Sequence, residues 1–300
     1  MRGWRYWRNL LLASLLALLV GAWAISVFLA ALLLDGMDDI LHPQPIPVDQ
    51  TPLDYGITSY QNITFTARAG IRLSGWYVPS QNGAAIILAH GHGNNRATLL
   101  PEAAMLQSHG YGVLLFDFRG HGESERAVVT IGDHERRDMR AAVDFVAAQT
   151  DVDPDRIGAL GFSMGAAVLV QVAAEDERLR AVIIEAAFPT LEGVIKNRLD
   201  LPGVLRAPLM RWVEWQQNGD IDDVRPVDDL CNISPRPVML IYGDQDEALP
   251  PGSQQIMFEA VCEPVEKWLL PGRGHEYFRD QPIEGYETRI LAFFEKELAR

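Results

Sequence analysis

Six short, largely apolar runs separated by helical stretches leave this chain few architectures to choose from. The runs are Ala84–Ala89, Val113–Phe116, Ile157–Leu160, Ala181–Glu185, Val238–Tyr242 and Val265–Leu270. Residues that are apolar at successive positions, rather than alternate ones, suit strands covered on both faces. The helical stretches are Leu99–Ser108, Glu135–Gln149, Met164–Ala174, Gln254–Val261 and Tyr286–Leu298. Strand and helix in alternation predict an α/β fold, with a mostly parallel central sheet flanked by helices. Upstream, Asn62–Ala67 and Ile71–Val78 alternate polar and apolar residues like a hairpin at the sheet edge. In such a sheet, ligands bind beyond the carboxyl ends of the strands, so the chemistry is sought in the loops after each run.

One connection breaks the rhythm. Residues 188–230 hold no buried-strand run but carry Leu199, Leu201, Val204, Leu205, Leu209, Met210, Trp212, Val213 and Trp215. A connection this long predicts a small helical cap, the alternative being a helix that simply packs on the sheet.

The N-terminus reads differently. Residues 10–34 are 25 consecutive positions without a charge. As a helix they would span about 37 Å, more than the ~30 Å hydrocarbon core of a bilayer. Signal-peptide apolar regions run only about 7–15 residues, so a retained transmembrane anchor is expected, with cleavage near the small residues Gly21–Ala24 as the alternative. Arg2, Arg5 and Arg8 precede the run, and Asp35, Asp38 and Asp39 come after it. That asymmetry places residues 1–9 in the cytoplasm and exports the large domain, with Trp4, Tyr6 and Trp7 at the interface. Residues 35–55 form a linker, stiffened by four prolines between His42 and Pro52. The globular domain is then 56–300, with its cap at about 188–230.

The chain carries a net charge of −14, and is more acidic still without its three leading arginines. Such a surface repels phosphate backbones, which argues against nucleic acid as a partner. Cys231 and Cys262 are compatible with an oxidising compartment, and could bridge if the segments before two neighbouring strands converge. Asn62-Ile-Thr64 and Asn232-Ile-Ser234 match the glycosylation acceptor pattern, which matters only in a cell that glycosylates.

The chemistry begins at Gly161-Phe162-Ser163-Met164-Gly165, which lies after the run Ile157–Leu160 and opens the helix at Met164. A strand–turn–helix setting is what a nucleophile elbow requires, although a serine there could also serve as a helix cap. A serine hydroxyl needs a base to become a nucleophile at neutral pH. Behind an elbow of this kind the acid and then the histidine come later along the chain, and His275 is the only histidine after Ser163. Gly243-Asp244-Gln245-Asp246-Glu247 offers three carboxylates. The turn at Gly243 favours Asp246 as the partner of His275, with Asp244 as the rival. His90-Gly91-His92-Gly93 ends the run Ala84–Ala89, so the backbone N–H groups of His92 and Met164 are the candidate oxyanion donors. Two histidines at i and i+2 on a glycine loop, with Asp117 and His121 in the next loop, make a poor zinc pattern. No metal or cofactor is expected.

Taken in order, HGHGNN at His90–Asn95, DFRGHGES at Asp117–Ser124, GFSMG at Gly161–Gly165, GDQD at Gly243–Asp246 and GRGH at Gly272–His275 resemble the α/β-hydrolase superfamily across residues 60–298. The chain is most similar to membrane-anchored or secreted members with a short cap, of the acyl-peptidase and monoacylglycerol-lipase-like type. The resemblance implies hydrolysis of an ester, thioester or amide of a small acyl substrate through an acyl-enzyme. It also implies that DFRGHGES is a structural loop, with Arg119 and His121 architectural. Serine at the elbow argues against the dehalogenase and epoxide-hydrolase branches, which place aspartate there. A carboxylesterase is the expected activity. A serine peptidase or acyltransferase on the same triad, or a silent ligand-binding domain, are the rivals. An apolar cap bearing Trp212 and Trp215 suggests an apolar substrate group.

Overall fold

The computed structural model describes residues 42–198, 218–275 and 283–299 without interruption, with scattered positions between 4 and 21 and between 203 and 215. The chain divides into two compact units, 1–42 and 43–300. In the first, the described positions between 4 and 21 are helical, and Trp4, Leu12, Leu16, Leu18 and Val20 are exposed. Most of the expected anchor 10–34 lies outside the described residues. Among the described residues, no helix is long and apolar enough to cross a membrane.

The second unit is built on one sheet of eight strands: β1 (Gln61–Thr66), β2 (Arg72–Val78), β3 (Ala85–Ala89), β4 (Gly112–Phe116), β5 (Ile157–Phe162), β6 (Leu179–Glu185), β7 (Val238–Gly243) and β8 (Val265–Leu270). Their order is β1-β2-β4-β3-β5-β6-β7-β8. Only the contacts of β2 with β1 and β4 are antiparallel; the others are parallel. The alternating segments thus form an edge hairpin, and β3 to β7 are buried along nearly their whole length. Among the described residues, the helices of two turns or more are α1 (Leu100–Ser108), α2 (Glu135–Ala147), α3 (Met164–Glu175), α4 (Leu191–Arg198), α5 (Ser253–Ala260) and α6 (Tyr286–Glu297).

The run Val265–Leu270 departs from expectation. Its apolar content predicts a strand covered on both faces, but β8 ends the sheet, with Lys267 and Leu269 exposed and Leu270 buried. Glu266 and Lys267 within the run mark the difference, since an edge strand keeps charges in water. The proline-rich segment also departs from a free linker. From Pro43 it belongs to the second unit, where Asn95 Nδ2 donates to the Ile46 and Pro47 carbonyls (3.1 and 3.2 Å) and Arg126 to that of Pro43 (2.9 Å). The expected cap at 188–230 is described at both its ends, 188–198 and 218–230, and at scattered positions between them; α4 forms its first helix.

Cys231, just before β7, and Cys262, just before β8, are joined by a disulfide with their Cα atoms 4.8 Å apart. The pairing of β7 with β8 supplies the convergence that the bridge needs.

Register brings the carboxyl ends of the central strands level. Ala89 pairs with Gly161 and with Phe116, Phe162 with Glu185, and Gly243 with Leu270. The loops after β3, β4, β7 and β8, and the turn after β5, therefore open on one edge of the sheet. Beneath them lies a buried polar layer. Asp117 accepts from the Arg96 and Glu123 amides (2.7 and 2.9 Å) and pairs with the Arg96 guanidinium, which also lies 4.3 Å from the Trp76 ring centre. Arg119 forks onto Asp138 of α2 through Nε and Nη2 (2.9 and 2.6 Å), and its own amide donates to the same carboxylate (3.1 Å). Arg119 and Asp138 are both buried.

Removing one partner of a buried pair leaves the other charged and alone. Arg119→Ala or Asp138→Ala is therefore expected to lower stability by about 3–5 kcal/mol. Replacing both by apolar residues of similar volume should recover most of that loss. Urea unfolding of the two single variants and the double variant measures it.

Candidate active site

Between β5 and α3 there is no loop. Phe162 is the last residue of the strand, Met164 the first of the helix, and Ser163 alone makes the turn, at φ 52° and ψ −115°. A side chain rarely adopts such angles, at a cost of about 1–3 kcal/mol. Two backbone hydrogen bonds hold the turn: Ser163 N–H to the Glu185 carbonyl of β6 (2.8 Å), and Ala167 N–H to the Ser163 carbonyl (2.9 Å). The sharp reversal packs backbone on backbone, which explains both flanking glycines. A Cβ at Gly161 would stand 2.7 Å from the Gly165 carbonyl oxygen, and one at Gly165 would stand 2.6 Å from that of His90. The helix behind the serine is buried from Met164 to Ala173, so the turn has no room to relax.

Three side chains predicted to meet do so. His275 Nε2 lies 3.0 Å from Ser163 Oγ, and His275 Nδ1 lies 2.7 Å from Asp246 Oδ2. The other oxygen of Asp246 accepts from the amides of Ala248 and Leu249 (3.0 and 3.1 Å). The Asp246 side chain is 4% exposed and that of His275 is 22% exposed, so the acid is sealed while the imidazole reaches the cleft. Asp244, the rival carboxylate, turns elsewhere: it accepts from the Gly272 amide (2.6 Å) and ties the loop after β7 to the loop after β8. The Phe162 ring lies 5.2 Å from the His275 ring, centre to centre.

Ser163, His275, His92 and Met164 line one cleft. Its remaining walls include Ile131, Phe188, Val194, Leu249 and Arg198. Of the two tryptophans of the expected apolar cap, Trp212 lies outside the described residues. Trp215 is 76% exposed and is not among the cleft's lining residues, so its indole does not supply the apolar wall. Sequence reasoning does not single out Ile131, nor Glu135, which holds the backbone on either side of it. The spacing Thr130-x-Gly132-x-x-Glu135 at the start of a helix is the available signal.

His90 and His121 sit beneath the cleft as neutral rings. His90 Nδ1–H donates to the Gly91 carbonyl (2.7 Å) while Nε2 accepts from the Phe118 amide (3.1 Å). His121 Nδ1–H donates to the Arg119 carbonyl (2.9 Å) while Nε2 accepts from the Gly93 amide (3.0 Å). These tautomers are dictated by the fixed backbone partners. With both nitrogens of each ring occupied, neither has a lone pair for a metal ion. Burial lowers their pKa values, that of His90 to about 4 and that of His121 to about 3. Among the described residues, the one group of carboxylates close enough to share an ion is Glu214, Asp220 and Asp222, none of which lines the cleft.

Comparison with known proteins points the same way as the fold. The model of the family described as "Alpha/beta hydrolase family" matches residues 86–288. Protein YfhR of Escherichia coli K12 is 28% identical over 244 residues, which cover 78% of this chain and 80% of that one. A thiohydrolase of Aspergillus aculeatus, aneE, is 33% identical over 151 residues, or 49% of this chain and 46% of that one. Among solved structures, the Pyrococcus furiosus esterase Pf2001 superimposes with a TM-score of 0.73 at 24% identity, covering 86% of this chain and all of that one.

The two buried histidines have a consequence for stability. Below pH 6.5 the unfolded chain protonates them, whereas the folded chain resists until about pH 4 and about pH 3. Stability is therefore expected to fall as pH drops from 6.5 to 4, by about 1.4 kcal/mol per pH unit for each histidine. Asp138, pushed up to about 6 chiefly by burial, takes up a proton on the folded side over part of that window and offsets one of the two. His121→Gln should therefore remove about one proton from the uptake on unfolding. The slopes of unfolding free energy against pH, compared between wild type and variant, measure it.

Proposed function

Because this chain belongs to the alpha/beta hydrolase family, we propose that it is a serine hydrolase cleaving a carboxylic ester through an acyl-enzyme on Ser163. The observation that carries this reading is the hydrogen-bonded chain of 2.7 and 3.0 Å that links Asp246, His275 and Ser163, at the mouth of a cleft. Ser163 Oγ attacks the acyl carbonyl carbon, and its proton passes to His275 Nε2. Asp246 accepts the Nδ1–H of the imidazolium and holds its orientation. The carbonyl oxygen, now negative, is received by the amides of His92 and Met164, the second at a helix N-terminus whose first amides lack intrahelical partners. The tetrahedral species expels the alcohol, which takes the proton from His275. Water then attacks the acyl-enzyme by the same path in reverse, releasing the acid and restoring the serine. No cofactor or metal enters this scheme.

The cleft beside Ser163 is small, with a free volume of about 40 Å³, well below the usual range of small-molecule sites, which favours a compact acyl substrate. Its walls of Ile131, Phe188, Val194 and Leu249 favour an apolar group on that substrate. A thioester is the second reading, supported by the thiohydrolase relative.

We also propose that residues 10–34 anchor the enzyme in a membrane, with residues 43–300 outside the cytoplasm. The uncharged run, the arginines before it and the aspartates after it support this, as does the Cys231–Cys262 bridge, which persists in oxidising compartments.

A fluorophosphonate probe is expected to label wild type and to leave Ser163→Ala unlabelled; an unlabelled wild type sinks the proposal. Asp246→Asn should lower kcat about 10⁴-fold with the fold intact, since the histidine loses its productive tautomer. Rates on matched oxygen esters, thioesters and amides then decide the bond cleaved. For the anchor, the full chain should resist alkaline carbonate extraction, and added protease should reach residues 43–300 in spheroplasts or intact cells but not residues 1–9.

A further inference from the structure

Ile131 stands in the wall of the Ser163 cleft on a backbone that a β-branched residue avoids. Its φ is 54°, a region in which isoleucine crowds its own carbonyl. Free to adopt its local preference, the residue would swing into the extended region and take its side chain with it. Glu135 prevents that. Its carboxylate, in the first turn of α2, is fully buried. One oxygen accepts from the Thr130 amide (3.0 Å), the other from the Thr130 hydroxyl and the Gly132 amide (both 2.8 Å). The residues on both sides of Ile131 are thus fastened to a single side chain. The Thr130 hydroxyl in turn accepts from the His134 amide (2.7 Å), closing the loop on its own helix. Gly132 completes the arrangement: its φ is 141°, and a Cβ there would stand 2.5 Å from Val224 Cγ1.

None of the Glu135 hydrogen bonds reaches Ser163, His275 or Asp246. Their common effect is to fix the direction of Ile131. A wall residue held from both sides cannot give way to an added methylene as a freely rotating one can, and one methylene against an apolar wall discriminates by about 10–200-fold. We propose that Ile131 sets the upper size of the substrate group seated beside Ser163, and that Glu135 is the positioning residue that holds it there. This inference rests on Ser163 being the nucleophile.

The test uses the full chain and alkyl fluorophosphonates of rising length, which report on Ser163 and on its cleft separately. The readout is the ratio of labelling rates for a decyl over an ethyl probe, checked against kcat/KM for p-nitrophenyl octanoate over acetate. Ile131→Gly, whose backbone accepts a positive φ without strain, should raise both ratios about tenfold or more. Glu135→Gln should move them in the same direction, because an amide cannot accept from all three donors. A purely structural Glu135 would lower the melting temperature and leave the ratios at the wild-type value. If Glu135→Gln does not fold, Thr130→Val, which removes one donor to the carboxylate, takes its place with the same expectation. Wild type labelled at Ser163, with ratios unchanged within twofold in Ile131→Gly, overturns this inference alone. A wild type that is not labelled overturns it together with the nucleophile reading.

Discussion

A parallel strand runs into a buried helix with a single residue between them, and the rest of the site depends on that junction. β5 and α3 are both packed on all sides, so neither can shift to relieve Ser163 of its φ of 52°. Strain of this kind persists only where surrounding packing over-determines it. Here Gly161 and Gly165 let backbone meet backbone, and the amide of Ser163 is spent on β6. The hydroxyl is left standing at the end of the sheet, where the loops after β7 and β8 also finish because their strands share a register. One constraint thus sets both the exposure of the serine and its distance to the imidazole.

The polar layer under the cleft holds the remaining loops in place. Asp117 gathers the amides of Arg96 and Glu123, so the loops after β3 and β4 are tied through one carboxylate. Arg119 ties the second of these loops to α2 through Asp138. His90 and His121 each join one backbone carbonyl to one backbone amide, which neutral imidazole can do and imidazolium cannot. The motif Asp117–Ser124 therefore acts through hydrogen-bond geometry. Its histidine and arginine are chosen for the donors and acceptors they present to backbone, and burial keeps the rings uncharged. Glu135 continues the same device one loop further, fastening the backbone around Ile131.

Much of the fold is legible in the sequence because its strands and helices announce themselves by periodicity, and the bounds expected for the strands and for the helices outside the cap fall within about two residues of the observed ones. The hairpin of β1 and β2 is visible in its alternation, which β1 keeps at the sheet edge, whereas β2, paired on both sides, is buried from Gly75 to Val78. β8 is hard to place because an edge strand and a central strand carry similar apolar content, and only neighbours distinguish them. The proline-rich segment resembles a free spacer because its fastening lies in distant side chains, Asn95 and Arg126. At the site, motif order and loop position nominate Ser163, His275 and Asp246. Ile131 is hard to find, because an isoleucine in a loop carries of itself no sign of a positive φ, and the carboxylate that imposes it lies four residues away on a helix.

Local pattern and motif order, properties of the chain read in one dimension, determined an α/β sheet, the loops that bear chemistry, and which serine and histidine to examine. Tertiary structure decided what depends on distance across the sheet. It selected Asp246 over Asp244, because only the former reaches His275 while the latter is taken up by the Gly272 amide. It closed Cys231 onto Cys262 by setting β7 beside β8, and it turned Ile131 toward the cleft. Those choices are made by packing and by hydrogen bonds between residues far apart along the chain, and neither leaves a period or a spacing for a sequence to display.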